Sequence, residues 1–178
     1  MVHCHITERS KGHQFDLTVV YGFYTIEQRK SLWTDLNLMA QSISQPWIIV
    51  GDFNALMSPK DRLVEAPVTL NEIRDFAECV KDMGINEIQW KGNYYTWNNK
   101  QTGSARISSR IDRAFGNDAW MEKWGHVTLE YGKPGVSDHS PMQLLLQQTQ
   151  YQVRVSFKFF NVWIEHASFL ELVEKVWK

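Results

Sequence analysis

Cysteine is scarce in this sequence. Cys4 and Cys79 are the only two in 178 residues, far apart and both in apolar-patterned segments. That excludes a disulfide framework and fits reduced, buried thiols in an intracellular protein with no disulfide partner. No apolar run approaches the ~18 residues needed to span a bilayer, and Met1-Val2-His3-Cys4-His5 lacks a charged leader followed by an apolar stretch. No membrane association is expected. An excess of one charge is also missing: 19 Lys and Arg stand against 20 Asp and Glu, so no global basic field advertises a polyanionic partner. Any such partner must be held by a local patch. Repeats and low-complexity tracts are absent, and the length suits one domain with a sizeable core.

Helical and strand-like patterns interleave. Phe15 to Tyr21 alternates as a strand, and Ile26 to Ile43 carries apolar residues at helical spacing with Glu27, Arg29, Lys30 and Asp35 on the wet side. Pro46 ends that helix. Trp47-Ile48-Ile49-Val50 is wholly apolar, as in a strand covered on both faces. Thr69 and Glu72 make a capping box for a second helix closed by Gly84. Ile85 to Trp90 and Tyr94 to Trp97, split by Lys91-Gly92-Asn93, read as a hairpin. A strand at Arg110 to Phe115, a short helix from Asn117, and strands near Val127 to Tyr131 and Met142 to Leu146 follow. The tail differs: Gln147 to Gln152 is a polar break, Phe157 to Phe160 is aromatic, and Ser168 with Glu171 caps a last helix bearing an apolar stripe.

Three polar strings sit beside apolar runs: Gly51-Asp52-Phe53-Asn54, Arg110-Ile111-Asp112-Arg113 and Ser137-Asp138-His139-Ser140. Singly, each is an ordinary turn or cap. Together they set acids, an amide and an imidazole at strand ends, an arrangement suited to hydrolysis. Lys100, Arg106, Arg110 and Arg113 share a stretch with Trp97, Asn98 and Asn99, a basic and aromatic interleaving suited to nucleic acid. Read from composition alone, Trp97 is equally a core residue and the cations a solvated face. His3-Cys4-His5 supplies two alternate ligands without a matching pair, too few for zinc, and His13, His126 and His166 have no recognisable partners.

The chain resembles the endonuclease/exonuclease/phosphatase superfamily, and specifically the endonuclease domain of plant LINE-type (non-LTR) retrotransposons. The likeness runs through Val2-His3-Cys4, Val20-Tyr21-Gly22, Trp47 to Ala55, Asp61-Arg62-Leu63, Tyr95-Thr96-Trp97-Asn98-Asn99, Ser109 to Phe115 and Ser137 to Met142. It implies an α/β (α+β) fold, a four-layered sandwich of two mixed sheets flanked by helices, over residues 1–148, with 149–178 as a connector and terminal helix leading toward a reverse transcriptase. It also implies that the first strands of the fold lie upstream of this sequence.

The activity implied is divalent-metal-dependent phosphodiester hydrolysis by a DNA-nicking endonuclease, with magnesium, or manganese in its place, as cofactor. His139 would contact the scissile phosphate and Asp112 would orient it. Asp52 would position and activate the attacking water, Asn54 would steady phosphate and water, and Tyr21 would point its phenol at the phosphate. Asp138 and Asp52 would serve the metal, while Arg110, Trp97 and Asn98 would bind substrate. DNA is the implied partner, reached in the nucleus if the target is genomic.

Two departures qualify this. Tyr24 stands where the family usually has a phosphate-side Asn, and a glutamate that supplies a principal metal ligand belongs to an upstream strand that the sequence does not include. Weak or no nuclease activity is therefore expected of the isolated chain. Two rival readings remain: a phosphomonoesterase or inositol-phosphate or lipid phosphatase of the same superfamily, and a non-catalytic nucleic-acid-binding remnant.

Overall fold

In the computed structural model, which describes residues 1–9, 12–63, 67–146 and 169–176, the apolar Trp47 run is the middle of a five-stranded sheet. The chain divides into two units, Met1–Leu146 and Gln147–Lys178. In the first, β1 (Val2–Thr7) and β2 (Gln14–Tyr21) lead to helix α1 (Ile26–Ser42) and strand β3 (Trp47–Asp52), followed by β4 (Arg62–Leu63) and helix α2 (Arg74–Asp82). Short strands β5 (Asn86–Glu87), β6 (Trp90–Gly92), β7 (Trp97–Asn98) and β8 (Ser108–Ser109) precede β9 (Asp112–Gly116), helix α3 (Asp118–Trp124), β10 (Leu129–Tyr131) and β11 (Met142–Leu144). The second unit contributes helix α4 (Phe169–Val176). The polar break, the aromatic run and the Ser168 cap lie outside the described residues.

The main sheet has the order β1-β2-β3-β9-β5, mixed because β2 runs parallel to β3 while the other pairs are antiparallel. Two three-stranded sheets, β11-β10-β6 and β4-β8-β7, complete a mixed α/β architecture of several sheets flanked by helices.

Because side chains alternate across a strand, β3 feeds two cores. Trp47 and Ile49 join Val20, Phe115 and the α1 and α2 residues Leu32, Trp33, Leu36, Phe76 and Val80 on one face. Ile48 faces the other way, with Ala114, Phe15, Leu129, Tyr131 and the indoles of Trp120 and Trp124. The unbroken apolar run Trp47 to Val50 that opens β3 is what burial on both sides demands.

Polar side chains cap the helix starts, at Asn117 where the sequence reading opened the helix and at Thr25 where it named no cap. Thr25 caps α1 by accepting from the backbone N–H of Gln28, and Asn117 caps α3 by accepting from that of Trp120. The Thr69–Glu72 capping box is present but opens a 3₁₀ turn, Leu70–Glu72, before α2 begins at Arg74. The segment from 85 to 97 is not a hairpin. Its strands β5, β6 and β7 pair instead with β9, β10 and β8, in three different sheets, because β5 and β6 find their hydrogen-bond partners far along the chain and β7 pairs forward with the next strand rather than back across the Gly92 turn.

Gly51 lets β3 and β2 approach. Its φ of +141° suits glycine, and a Cβ there would lie 2.0 Å from the Val20 carbonyl oxygen. Gly51→Ala is expected to lower the unfolding free energy by about 3 kcal/mol in urea titration, backbone strain and overpacking both contributing.

Candidate active site

The ends of β2, β3 and β9 bring three chemistry-bearing residues into line. Tyr21 is the register partner of Asp52, and Asp52 is in turn the register partner of Asp112. Partners directly opposite in a sheet present their side chains on one face, so the strand pairing itself puts two carboxylates side by side. Both are buried.

The third polar string reaches them from another sheet. Trp97 forms a β-bridge with His139, flanked by hydrogen bonds from Asn98 N–H to the Asp138 carbonyl (3.1 Å) and from Ser140 N–H to the Thr96 carbonyl (2.6 Å). Pinned in this way, His139 sets Nδ1 at 3.1 Å and 3.0 Å from the two carboxylate oxygens of Asp112. A carboxylate only accepts, so Nδ1 carries the proton and Nε2 is the ring atom open to a substrate. Ligand atoms of Asp52, Asp112 and His139 all lie within 4.8 Å of one another. Asn54 joins the cluster through Asp52: its backbone N–H donates to Asp52 Oδ1 (2.8 Å), and its Nδ2 donates to Oδ2 (3.2 Å) and to the Gly22 carbonyl (2.9 Å).

Burial dominates the electrostatics. It pushes the Asp52 carboxyl up to about 6, with Asp112 repelling in the same direction, while the Asn54 N–H, His139 and Arg29 pull it back. Asp112 is also raised by burial, opposed by hydrogen bonds from Thr96 and His139. Two desolvated carboxyls that resist ionisation in each other's presence are the hard-oxygen donors a divalent cation favours. The residues present therefore fit such an ion, with Asp52 and Asp112 as the oxygen donors that would hold it.

Other expected site residues lie elsewhere. Asp138 does not join the cluster: it is exposed, its Oδ2 accepts from the Trp97 indole N–H (2.9 Å), and that bond chiefly holds its carboxyl below the usual range. Asn98 is buried and turns its Oδ1 to the backbone N–H of Lys100 (3.0 Å), which sits at a positive φ of 57°. Trp97 is half-buried beside the cleft. Arg110 is 2% exposed and faces no substrate. Its guanidinium lies 3.9 Å from the centre of the Trp90 ring and 4.9 Å from that of Tyr131, and it donates to Glu87 (2.8 Å). Arg113 is buried too, paired with Asp61 and Glu87. Of the four cations read as a basic stretch, Lys100 and Arg106 are the exposed pair.

Thr96 is a site residue that the sequence reading left without a role. Its Oγ1, buried, accepts the backbone N–H groups of Ile111 (3.1 Å) and Asp112 (3.0 Å). The available signal was a small hydroxyl side chain set between two aromatic residues, Tyr95 and Trp97. Tyr131 also supports Asp112, its hydroxyl donating to the Asp112 carbonyl (2.9 Å).

A cleft of about 490 Å³ opens beside Asn54, lined also by Tyr24, Arg29, Leu56, Arg62 and Trp97. Arg29, which the helical pattern put on the wet side of α1, is instead buried in the cleft wall, because its guanidinium donates to the carbonyls of Phe23 (3.0 Å) and Tyr24 (2.9 Å).

The chain belongs to the endonuclease/exonuclease/phosphatase family, whose model matches residues 4–139. Solved structures agree on the fold. The endonuclease domain of TRAS1, a telomere-specific non-LTR retrotransposon, is 16% identical with a TM-score of 0.53, over 82% of this chain and 64% of that one. A 3'-5' exonuclease from Neisseria meningitidis is 16% identical with a TM-score of 0.56, over 76% and 61%. A mutant beta toxin from Staphylococcus aureus with bound magnesium ions is 13% identical with a TM-score of 0.50, over 80% and 56%. The chain thus spans 56 to 64% of the length of these structures. No curated protein sequence matches it.

Two predictions follow from the geometry. In metal-free buffer, Asp52→Asn stabilises the chain by about 1–2 kcal/mol at pH 8 after allowance for solvent screening. The Asp52 carboxyl is raised in the fold, so its favourable contribution is full below about pH 4 and fades as pH rises through about 6. The advantage of the neutral variant should accordingly vanish toward pH 4 in denaturant titrations. Thr96→Val strands two buried N–H groups and should cost about 2–4 kcal/mol in the same assay.

Proposed function

We propose that the chain is a retrotransposon-type DNA-nicking endonuclease, hydrolysing a phosphodiester with the help of a divalent cation, magnesium or manganese. The convergence of Asp52, Asp112 and His139 within 4.8 Å carries this reading. A bound divalent cation would neutralise charge developing on the phosphoryl oxygens.

The chain's own groups supply the rest. Asp52, with a carboxyl near 6 and hence largely ionised at neutral pH, receives the proton of the attacking water. The Asn54 amide, held between Asp52 and the Gly22 carbonyl, is preoriented toward water and phosphate. Asp112 fixes the His139 ring so that Nε2 meets a phosphoryl oxygen. Tyr21, one strand over, supplies a phenol on the same edge. Lys100 and Arg106, both exposed, provide the phosphate-backbone contacts that Arg110 does not.

The retrotransposon endonuclease among the similar folds favours DNA over the phosphatase alternative. Activity of the isolated chain is weak in this reading, because among the described residues only two carboxylates converge where the family uses a further glutamate.

The test is nicking of supercoiled DNA with added magnesium. Slow nicking is expected, reduced about 10²-fold or more in both His139→Ala and Asp52→Ala, with no hydrolysis of a phosphorylated inositol. Cleavage that survives both substitutions, or faster turnover of the inositol phosphate, rejects the proposal; salt-sensitive DNA binding without any turnover would identify a binding remnant instead.

A further inference from the structure

Three aromatic side chains next to the catalytic cluster stand open to solvent: Tyr21 at 77%, Phe23 at 55% and Tyr24 at 89% exposure. No other described Phe, Tyr or Trp is exposed. Clustered exposed apolar surface of this kind marks a binding site more often than chance.

The segment that bears them is fixed on every side. Gly22 N–H donates to the Asp52 carbonyl (2.6 Å), and the Gly22 carbonyl accepts from Asn54 Nδ2 (2.9 Å). A Cβ at Gly22 would meet the Phe53 carbonyl oxygen at 2.3 Å, so the two backbones are in contact. Arg29 ties down the carbonyls of Phe23 and Tyr24, and Thr25 caps α1 immediately afterwards. Tyr24 also lines the cleft that Asn54, Arg29 and Arg62 share. The Tyr24 ring, on a fixed backbone, therefore borders a cleft lined by Arg29, the Arg62–Glu72 pair and Asn54, and Asn54 connects that cleft to Asp52.

We infer that Tyr24 forms a stacking platform for the nucleobase adjoining the scissile phosphate, which makes an unpaired stretch of nucleic acid the preferred substrate. This rests on the phosphodiesterase reading and narrows its substrate class. Stacking needs an open base face, and in an intact duplex both faces are taken by neighbouring pairs. An inositol phosphate has no such face. Because the platform's backbone is already immobilised, little ordering cost is added on binding.

The experiment is fluorescence anisotropy with a labelled short single-stranded oligonucleotide and its duplex, in chelator, alongside magnesium-dependent cleavage of both. The parent chain should bind the single strand more tightly than the duplex. Tyr24→Ser should weaken single-strand binding about tenfold, the scale of one base–aromatic stack, and raise KM without a matching fall in kcat, at unchanged melting temperature. Tyr24→Phe should restore the affinity.

Equal affinity in the parent and Tyr24→Ser, a preference for duplex, absence of single-strand binding, or a Tyr24-dependent dimer in sedimentation would overturn the platform. Tyr24-dependent binding without any cleavage would leave the platform standing and remove the nuclease assignment. Cleavage lost in His139→Ala but indifferent to Tyr24 would do the reverse.

Discussion

Two desolvated carboxylates facing each other across β3 and β9 are the constraint around which the rest is organised. The register that pairs Asp52 with Asp112 is not adjustable: a slip of β3 by one residue would put the two carboxylates on opposite faces and exchange the core sides of Ile48 and Ile49. The fold therefore holds an electrostatically unfavourable pair in place with its hydrophobic cores. Gly51 lets β2 close up against that strand, and Thr96, just before β7, and Tyr131, on β10, grip the backbone of Asp112 from the direction of the two smaller sheets. Local instability of this kind, maintained by surrounding packing, is common where a protein does chemistry.

A buried ionic lattice lies behind the site. Asp61 is desolvated, yet Arg113, the backbone N–H groups of Met57 and Ser58 and the Tyr94 hydroxyl more than compensate and hold its carboxyl below the ordinary range. Glu87 bridges Arg110 and Arg113. These groups share β9 and its neighbours with Asp112 without touching a substrate face, so their part is to lock strands whose ends carry the reactive side chains. Removing one partner would leave a charge buried and unpaired, which costs more than the pair contributes.

Much of this was legible in the sequence for local reasons. Asn117 opens a short helix as a polar cap, Pro46 separates a helix from a strand, and the unbroken apolar run from Trp47 required cover on both faces. The three polar strings at strand ends marked Asp52, Asn54, Asp112 and His139, which the structure gathers. What local pattern did not disclose depends on distant partners. Trp90, Tyr94 and Tyr131 enclose Arg110, and nothing within its own stretch distinguishes a cation in an aromatic box from one on a wet face. Asp138 was read with its neighbour His139, yet alternate side chains on adjacent residues diverge, and Trp97 claims it. The supposed hairpin failed because turn chemistry at Gly92 says nothing about which strands lie alongside.

The enclosure of Arg110 and Arg113 changes how the molecule meets a polyanion. With both guanidinium groups cancelled internally by Glu87 and Asp61, the outward field over this face is thinner than a tally of basic letters implies. On the proposed reading, long-range attraction of a polyanion would be weaker than those letters suggest, carried by Lys100 and Arg106 rather than by the buried pair. Capture, in that reading, would depend on what happens after first touch: short-range fit between a strand's exposed chemistry and a surface already in its working shape.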